Sequence, residues 1–107
     1  MKNDEPTAAP PAPVLSGRHR KQLRGLAHPM RPVVHVGQGG VTDPIVRAVD
    51  RALLDHELIK VRLLEPEDKR AMAELLADGA RAALCGLVGH TVILYRPHPE
   101  KPKIKLD

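Results

Sequence analysis

The sequence contains no tryptophan and no phenylalanine, and Tyr95 is its single aromatic residue. Base stacking on aromatic platforms is therefore excluded as a main mode of recognition. Cysteine is almost absent too: Cys85 is alone, so no intramolecular disulfide can form, and a small chain of this kind suits a reducing compartment. No apolar run approaches the roughly 20 residues of a membrane-spanning helix. Asp4 and Glu5 stand where a secretory peptide carries positive charge, so neither export nor membrane insertion is expected and the chain reads as cytoplasmic.

What remains is ordinary globular material. The hydrophobic fraction of 42% is carried by Leu, Val, Ala and Ile, and 107 residues leave room for one domain with one modest core. The formal charge of +4 favours an anionic partner, and its distribution sharpens the point. Residues 18–36 hold Arg18, Arg20, Lys21, Arg24 and Arg31 and no acid, a local charge of +5, whereas residues 37–95 carry seven basic and nine acidic residues.

Residues 1–14 are rich in proline and alanine, with too few bulky side chains to join a core, and are expected to form a disordered tail. Ser16 is a candidate N-cap for a helix in which Leu23, Leu26, Ala27 and Met30 form the packing face. Arg20, Arg24 and His28 follow a separate line at four-residue spacing. Pro29 and Pro32 end this helix, and the run from Val33 to Val36 predicts a short strand. Gly37-Gln38-Gly39-Gly40 follows, then a helix capped by Thr42 or Asp43, with Pro44 in its first turn and Ile45, Val46, Val49, Ala52 and Leu53 inward.

From Glu57 to Leu64 the residues alternate, with Ile59, Val61 and Leu63 on one face and Lys60 and Arg62 on the other, as in a half-buried strand. A third helix is expected from Glu67 to about Ala80, carrying Ala71, Met72, Leu75, Leu76 and Ala80. Ala82 to Val88, a Gly89-His90 turn and Thr91 to Tyr95 predict an antiparallel hairpin, with an exposed tail after Pro97. The fold class is therefore α/β, a single domain in αβαβαββ order with a mixed four-stranded sheet packed with three helices.

A strand that runs into glycines before a helix suits an anion such as phosphate, because free amides and the helix dipole point the same way. The GxxG spacing of Gly37 and Gly40 also describes the loop with which KH-type modules admit a nucleic-acid backbone. A bare tight turn would explain the same glycines. A dinucleotide fingerprint would need a third glycine where Thr42 stands, and a Walker loop would need a following Gly-Lys-Ser/Thr. A nucleotide-binding protein or small enzyme that uses the loop for a phosphate is the alternative class, and a pure protein-interaction module is a third.

The six histidines, His19, His28, His35, His56, His90 and His98, show no metal-ligand spacing, so neither metal nor cofactor is expected. His28 is expected to cap its helix or meet a phosphate, and His56 suits the negative end of the second helix. Cys85 lies between Leu84 and Leu87 in a predicted strand, where cysteine behaves as a small apolar residue. No catalytic residue is assigned, and the chain is read as a non-enzyme.

The stretch from Leu15 to Pro29, LSGRHRKQLRGLAHP, resembles the CRM domain family (chloroplast RNA splicing and ribosome maturation), as do Arg31-Pro32-Val33-Val34 and Gly37-Gln38-Gly39-Gly40-Val41-Thr42. Its stand-alone bacterial, YhbY-like members share the later stretches His56-Glu57-Leu58-Ile59-Lys60-Val61 and Leu94-Tyr95-Arg96-Pro97. The resemblance spans residues 15–97. It implies a fold like the C-terminal domain of translation initiation factor three, an RNA-binding GxxG loop, and association with precursors of the large ribosomal subunit.

Residue by residue, it implies basic first-helix positions at Arg18, Arg20 and Arg24, a basic position after that helix at Arg31, and loop glycines at Gly37 and Gly40. Lys21, His28, Gln38, Gly39 and Arg96 complete the expected RNA-binding set. Two positions depart from the family pattern: Gln38 stands where lysine is common, and Arg81 where a glycine commonly follows the third helix. Gly79 is then a candidate terminator of that helix. The expected working unit is a monomer with residues 15–97 as the domain and residues 98–107 as a basic tail, acting on ribosomal RNA without metal or membrane.

Overall fold

The computed structural model describes residues 11–107. The proline-rich tail expected over residues 1–14 falls mostly outside them, and residues 11–14 have no regular secondary structure. The elements are α1 (Gly17–Ala27), β1 (Val34–Val36), α2 (Asp43–His56), β2 (Leu58–Leu63), α3 (Lys69–Ala80), β3 (Ala83–Val88) and β4 (Thr91–Tyr95). This is the order read from the sequence. Local chemistry sets the boundaries. The Ser16 hydroxyl accepts the His19 N–H at the start of α1, the Thr42 hydroxyl accepts the Ile45 N–H at the start of α2, and Asp68 accepts the Ala71 N–H at the start of α3.

The strands lie in the order β1-β2-β4-β3. β1 runs parallel to β2 through the α2 crossover, and β4 runs antiparallel to both of its neighbours. A bulge between Leu84 and Gly86 interrupts the β3–β4 ladder. One face of the sheet, with Val36, Ile59, Val61, Leu63, Val92 and Leu94, packs against Val49 and Leu53 of α2 and Ala73, Leu76 and Ala80 of α3. On the other face Leu58, Ala83, Cys85, Ile93 and Tyr95 pack against Leu15, Leu23 and Ala27 of α1. α1 thus sits alone across the sheet from α2 and α3.

Five expectations need correction. Leu26 is 48% exposed and Leu75 59% exposed, and Ala71 is exposed as well; the buried stripe of α3 is Ala73, Leu76, Ala77 and Ala80 instead. Gly79 does not end α3: it lies inside the helix, where a Cβ would stand 3.3 Å from Val46 Cγ2, so it permits close packing against α2. Arg81 closes α3 itself, in the left-handed conformation at φ 55° and ψ 43°, its N–H donating to the Ala77 and Asp78 carbonyls.

The segment after Pro97 is also not free, although its lysine side chains are exposed. Ile104 and Leu106 pack against the α1-side core. The buried Glu57 carboxylate accepts the backbone N–H groups of His98, Lys103 and Ile104. Gln22 of α1 grips the same strap by donating to the Lys105 carbonyl and accepting the Asp107 N–H. Burial opposes ionisation of Glu57, but the three amides outweigh it and hold its carboxyl below the ordinary 4.5.

Candidate nucleic-acid interface

The glycine loop forms a tight turn at the C-terminal end of β1. The Gly40 N–H donates to the Gly37 carbonyl at 3.0 Å, and Gly40 has φ +72°, the left-handed conformation that disfavours side chains. A Cβ added at Gly37 or Gly40 would meet nothing within 4 Å, so one side of the turn is open for another chain to approach. Gln38 and Gly39 are exposed at its tip. The first turn of α2 is less available than expected: the Ile45 N–H is taken by Thr42, Pro44 has none, and Asp43 adds a negative charge. An anion at the loop would therefore meet the turn rather than the helix end.

The two sides of this loop differ in charge. One flanking cleft, of about 510 Å³, is lined by Gly37, Gln38, Arg62 and His90 together with Glu65. The other, of about 470 Å³, is lined by Gly37 and Gln38 with Glu65, Glu67 and Asp68 and no cation. Arg62 belongs to the α1-side face of the sheet, where the ladder sets it between His35 of β1 and Thr91 of β4. His35, Arg62 and His90 are exposed. Two residues back on the same face, Lys60 Nζ donates to the His28 carbonyl at 3.1 Å. A further cleft lined by Lys60, His28, Thr91 and Arg24 continues from there to α1.

Arg20 and Arg24 lie one turn apart on α1. The Arg24 guanidinium donates to the Cys85 carbonyl of β3 at 2.9 Å. Its methylenes cover Gly86, where a Cβ would stand 2.8 Å from Arg24 Cδ. Arg18 and Lys21 are exposed and, by the 3.6-residue period, project away from the sheet. His28 is the C-cap of α1, its N–H donating to the Gly25 carbonyl, and Arg31 is exposed in the link to β1.

Arg96 stands apart from this group. Its side chain is only 14% exposed, and its guanidinium donates to Asp50 of α2 and to the Ala80 carbonyl at the end of α3, each at 2.7 Å, tying those helices to the end of β4. The sequence reading left out His35, Lys60, Arg62 and His90 as site residues. The alternation of Lys60 and Arg62 was their visible signal. That α1 leaves this end of the sheet uncovered was not visible in the sequence.

Burial pushes the Cys85 thiol up to about 11 against the opposing charges of Arg20 and Arg24, so at neutral pH it is protonated. Among the described residues no group of three His, Cys, Asp or Glu side chains is placed to hold a metal ion, and no helix is long and apolar enough to cross a membrane.

The chain matches the family model of the CRS1/YhbY (CRM) domain over residues 15–96. It is 39% identical over 95 residues to the "Probable RNA-binding protein YqeI" of Bacillus subtilis, which covers 87% of this chain and 99% of that one. It is 37% identical over 94 residues to an "RNA-binding protein" of Haemophilus influenzae, covering 86% of this chain and 94% of the relative. The solution structure of the hypothetical protein SAV1595 from Staphylococcus aureus superposes with a TM-score of 0.77 at 33% identity, covering 88% of this chain and all of that one. These likenesses span the glycine loop, the basic helix and the whole sheet, and the chain belongs to the CRS1/YhbY (CRM) domain family.

Proposed function

We propose that this chain binds RNA by its phosphate backbone, along a path from the glycine loop across the uncovered end of the sheet to α1. The observation that carries the reading is the sidedness of charge at the loop. Cations at Arg62, Lys60 and Arg24 line clefts on the α1 side, whereas the opposite cleft has only acids and would repel a phosphate. Open space over Gly37 and Gly40 lets a sugar-phosphate chain come close, and Arg18, Lys21 and Arg31 add exposed positive charge on α1 and on its link to β1. Such contacts hold the backbone without naming bases, so selectivity falls to the shape of folded RNA. The RNA we assign is ribosomal, in precursors of the large subunit, where the protein assists assembly.

Titration of a labelled RNA against salt tests the binding mode. Neutralising about four phosphates on a single strand gives a slope of log K against log salt near −3. The Arg20→Ala, Arg24→Ala double variant should flatten that slope by about 1.4; an unchanged slope removes α1 from the interface. Crosslinking in cells with sequencing of the attached RNA should recover large-subunit precursor RNA, and recovery of other RNA alone would refute that assignment. Stabilisation by ATP or NAD with none by RNA would favour the nucleotide-binding alternative.

A further inference from the structure

A cleft of about 690 Å³ runs along the open edge of β3, at the opposite edge of the sheet from the glycine loop. Arg20 and Arg24 reach it from α1 on one face of the sheet, and Arg70 reaches it from the first turn of α3 on the other. We infer that this cleft is a second phosphate-binding site for the same RNA strand, built from Arg20, Arg24 and Arg70. The inference rests on the RNA-binding reading above and extends the path beyond α1 to a residue that neither the basic segment nor the glycine loop contains.

Three observations support a built site. Arg24 is fixed before any ligand arrives, by its bond to the Cys85 carbonyl and by the space over Gly86, so little side-chain freedom is lost on binding. One such bond leaves most of the five guanidinium donors for phosphate oxygens. Arg20 and Arg24 line the cleft together with Cys85 and Gly86, which places both side chains beside the strand edge. Among the described residues no carboxylate forms an ion pair with Arg20 or Arg70.

Glu74 and Asp78 line the α3 wall of the same cleft. The three arginines outnumber these two carboxylates, so the cleft keeps a net positive charge. RNA is favoured over an acidic peptide because Arg24 also lines the cleft of Lys60 and His28, so the cationic path continues back toward Arg62 and the loop. Three inter-strand spacings of about 4.8 Å separate the two sheet edges by about 14 Å. A dinucleotide has a single internucleotide phosphate and cannot occupy both ends at once, whereas a 12-mer can.

The test uses the full chain with fluorescent oligouridylates of 2 and 12 nucleotides, and compares the parent with Arg70→Ala, Arg70→Lys and Arg62→Ala. Arg70→Ala should weaken the 12-mer about fivefold, reduce its salt slope by about 0.7, and leave the 2-mer unchanged. Arg70→Lys should keep most of the affinity, and Arg62→Ala should weaken both lengths. Loss on Arg62→Ala with no change on Arg70→Ala would overturn the second site and leave RNA binding intact. Equal losses for both lengths on Arg70→Ala would reduce the effect to overall charge and overturn it too. If polyglutamate bound in an Arg70-dependent manner and the 12-mer did not, the cleft would belong to a protein partner. Absence of RNA binding by the parent chain would sink the functional reading itself.

Discussion

Arg24 can cross β3 only because residue 86 has no Cβ. An alanine there would stand 2.8 Å from Arg24 Cδ and 3.2 Å from its Cγ, and the flexible arginine, not the backbone, would give way. Gly86→Ala should therefore keep the melting temperature within a few degrees while weakening RNA binding nearly as much as Arg24→Ala; calorimetry and anisotropy titration read the two effects separately. Glu57 is the opposite kind of residue, remote from the basic path and concerned with stability. Its folded pKa lies below 4.5, so its contribution is complete above the unfolded value and is lost as pH falls through the folded one. Glu57→Gln should cost about 2 kcal/mol at pH 7, measured by urea denaturation, and should flatten the fall in stability below about pH 5.

At the scale of elements, the chain order was legible because its signals are local. Ser16 and Thr42 sit at helix starts, Pro29 and Pro32 block continuation, and Ile59, Val61 and Leu63 alternate with Lys60 and Arg62. Periodicity alone could not choose between neighbouring stripes, so Leu75 read as core when Ala73 and Ala77 fill that place. Nor could it reveal the strap: Ile104 and Leu106 are two apolar residues among lysines, and only the groove beside α1 gives them a partner. The site divided in the same way. The charge run announced α1, but the cationic sheet face needed the fold to join it to the loop, and Arg96 proved to be occupied by Asp50. Removing residues 98–107 takes away two apolar contacts and all three amide partners of Glu57, so it should cost about 3 kcal/mol. Amide exchange in α1 should accelerate more than in α2, and equal protection in both helices would show that the strap is dispensable.

At the scale of the whole molecule, the segregation of charge about the glycine loop predicts where binding can be improved. Glu65 and Glu67 lie on the acidic side, close enough to raise the electrostatic cost of a phosphate at the turn. The Glu65→Gln, Glu67→Gln double variant should bind RNA about twofold tighter at 50 mM salt and no differently at 500 mM, where screening is nearly complete over that distance. An affinity gain that persists at high salt would point to a change in loop shape instead.

The placement of α1 also bears on the order in which the molecule is made. This helix precedes the surfaces that hold it: Cys85 and Ile93 of the final hairpin and Ile104 of the strap come 61 residues or more after Arg24. While the nascent chain is emerging, α1 has no completed surface on which to dock. The surface that carries the basic helix is thus completed only after the final hairpin and the strap have been made.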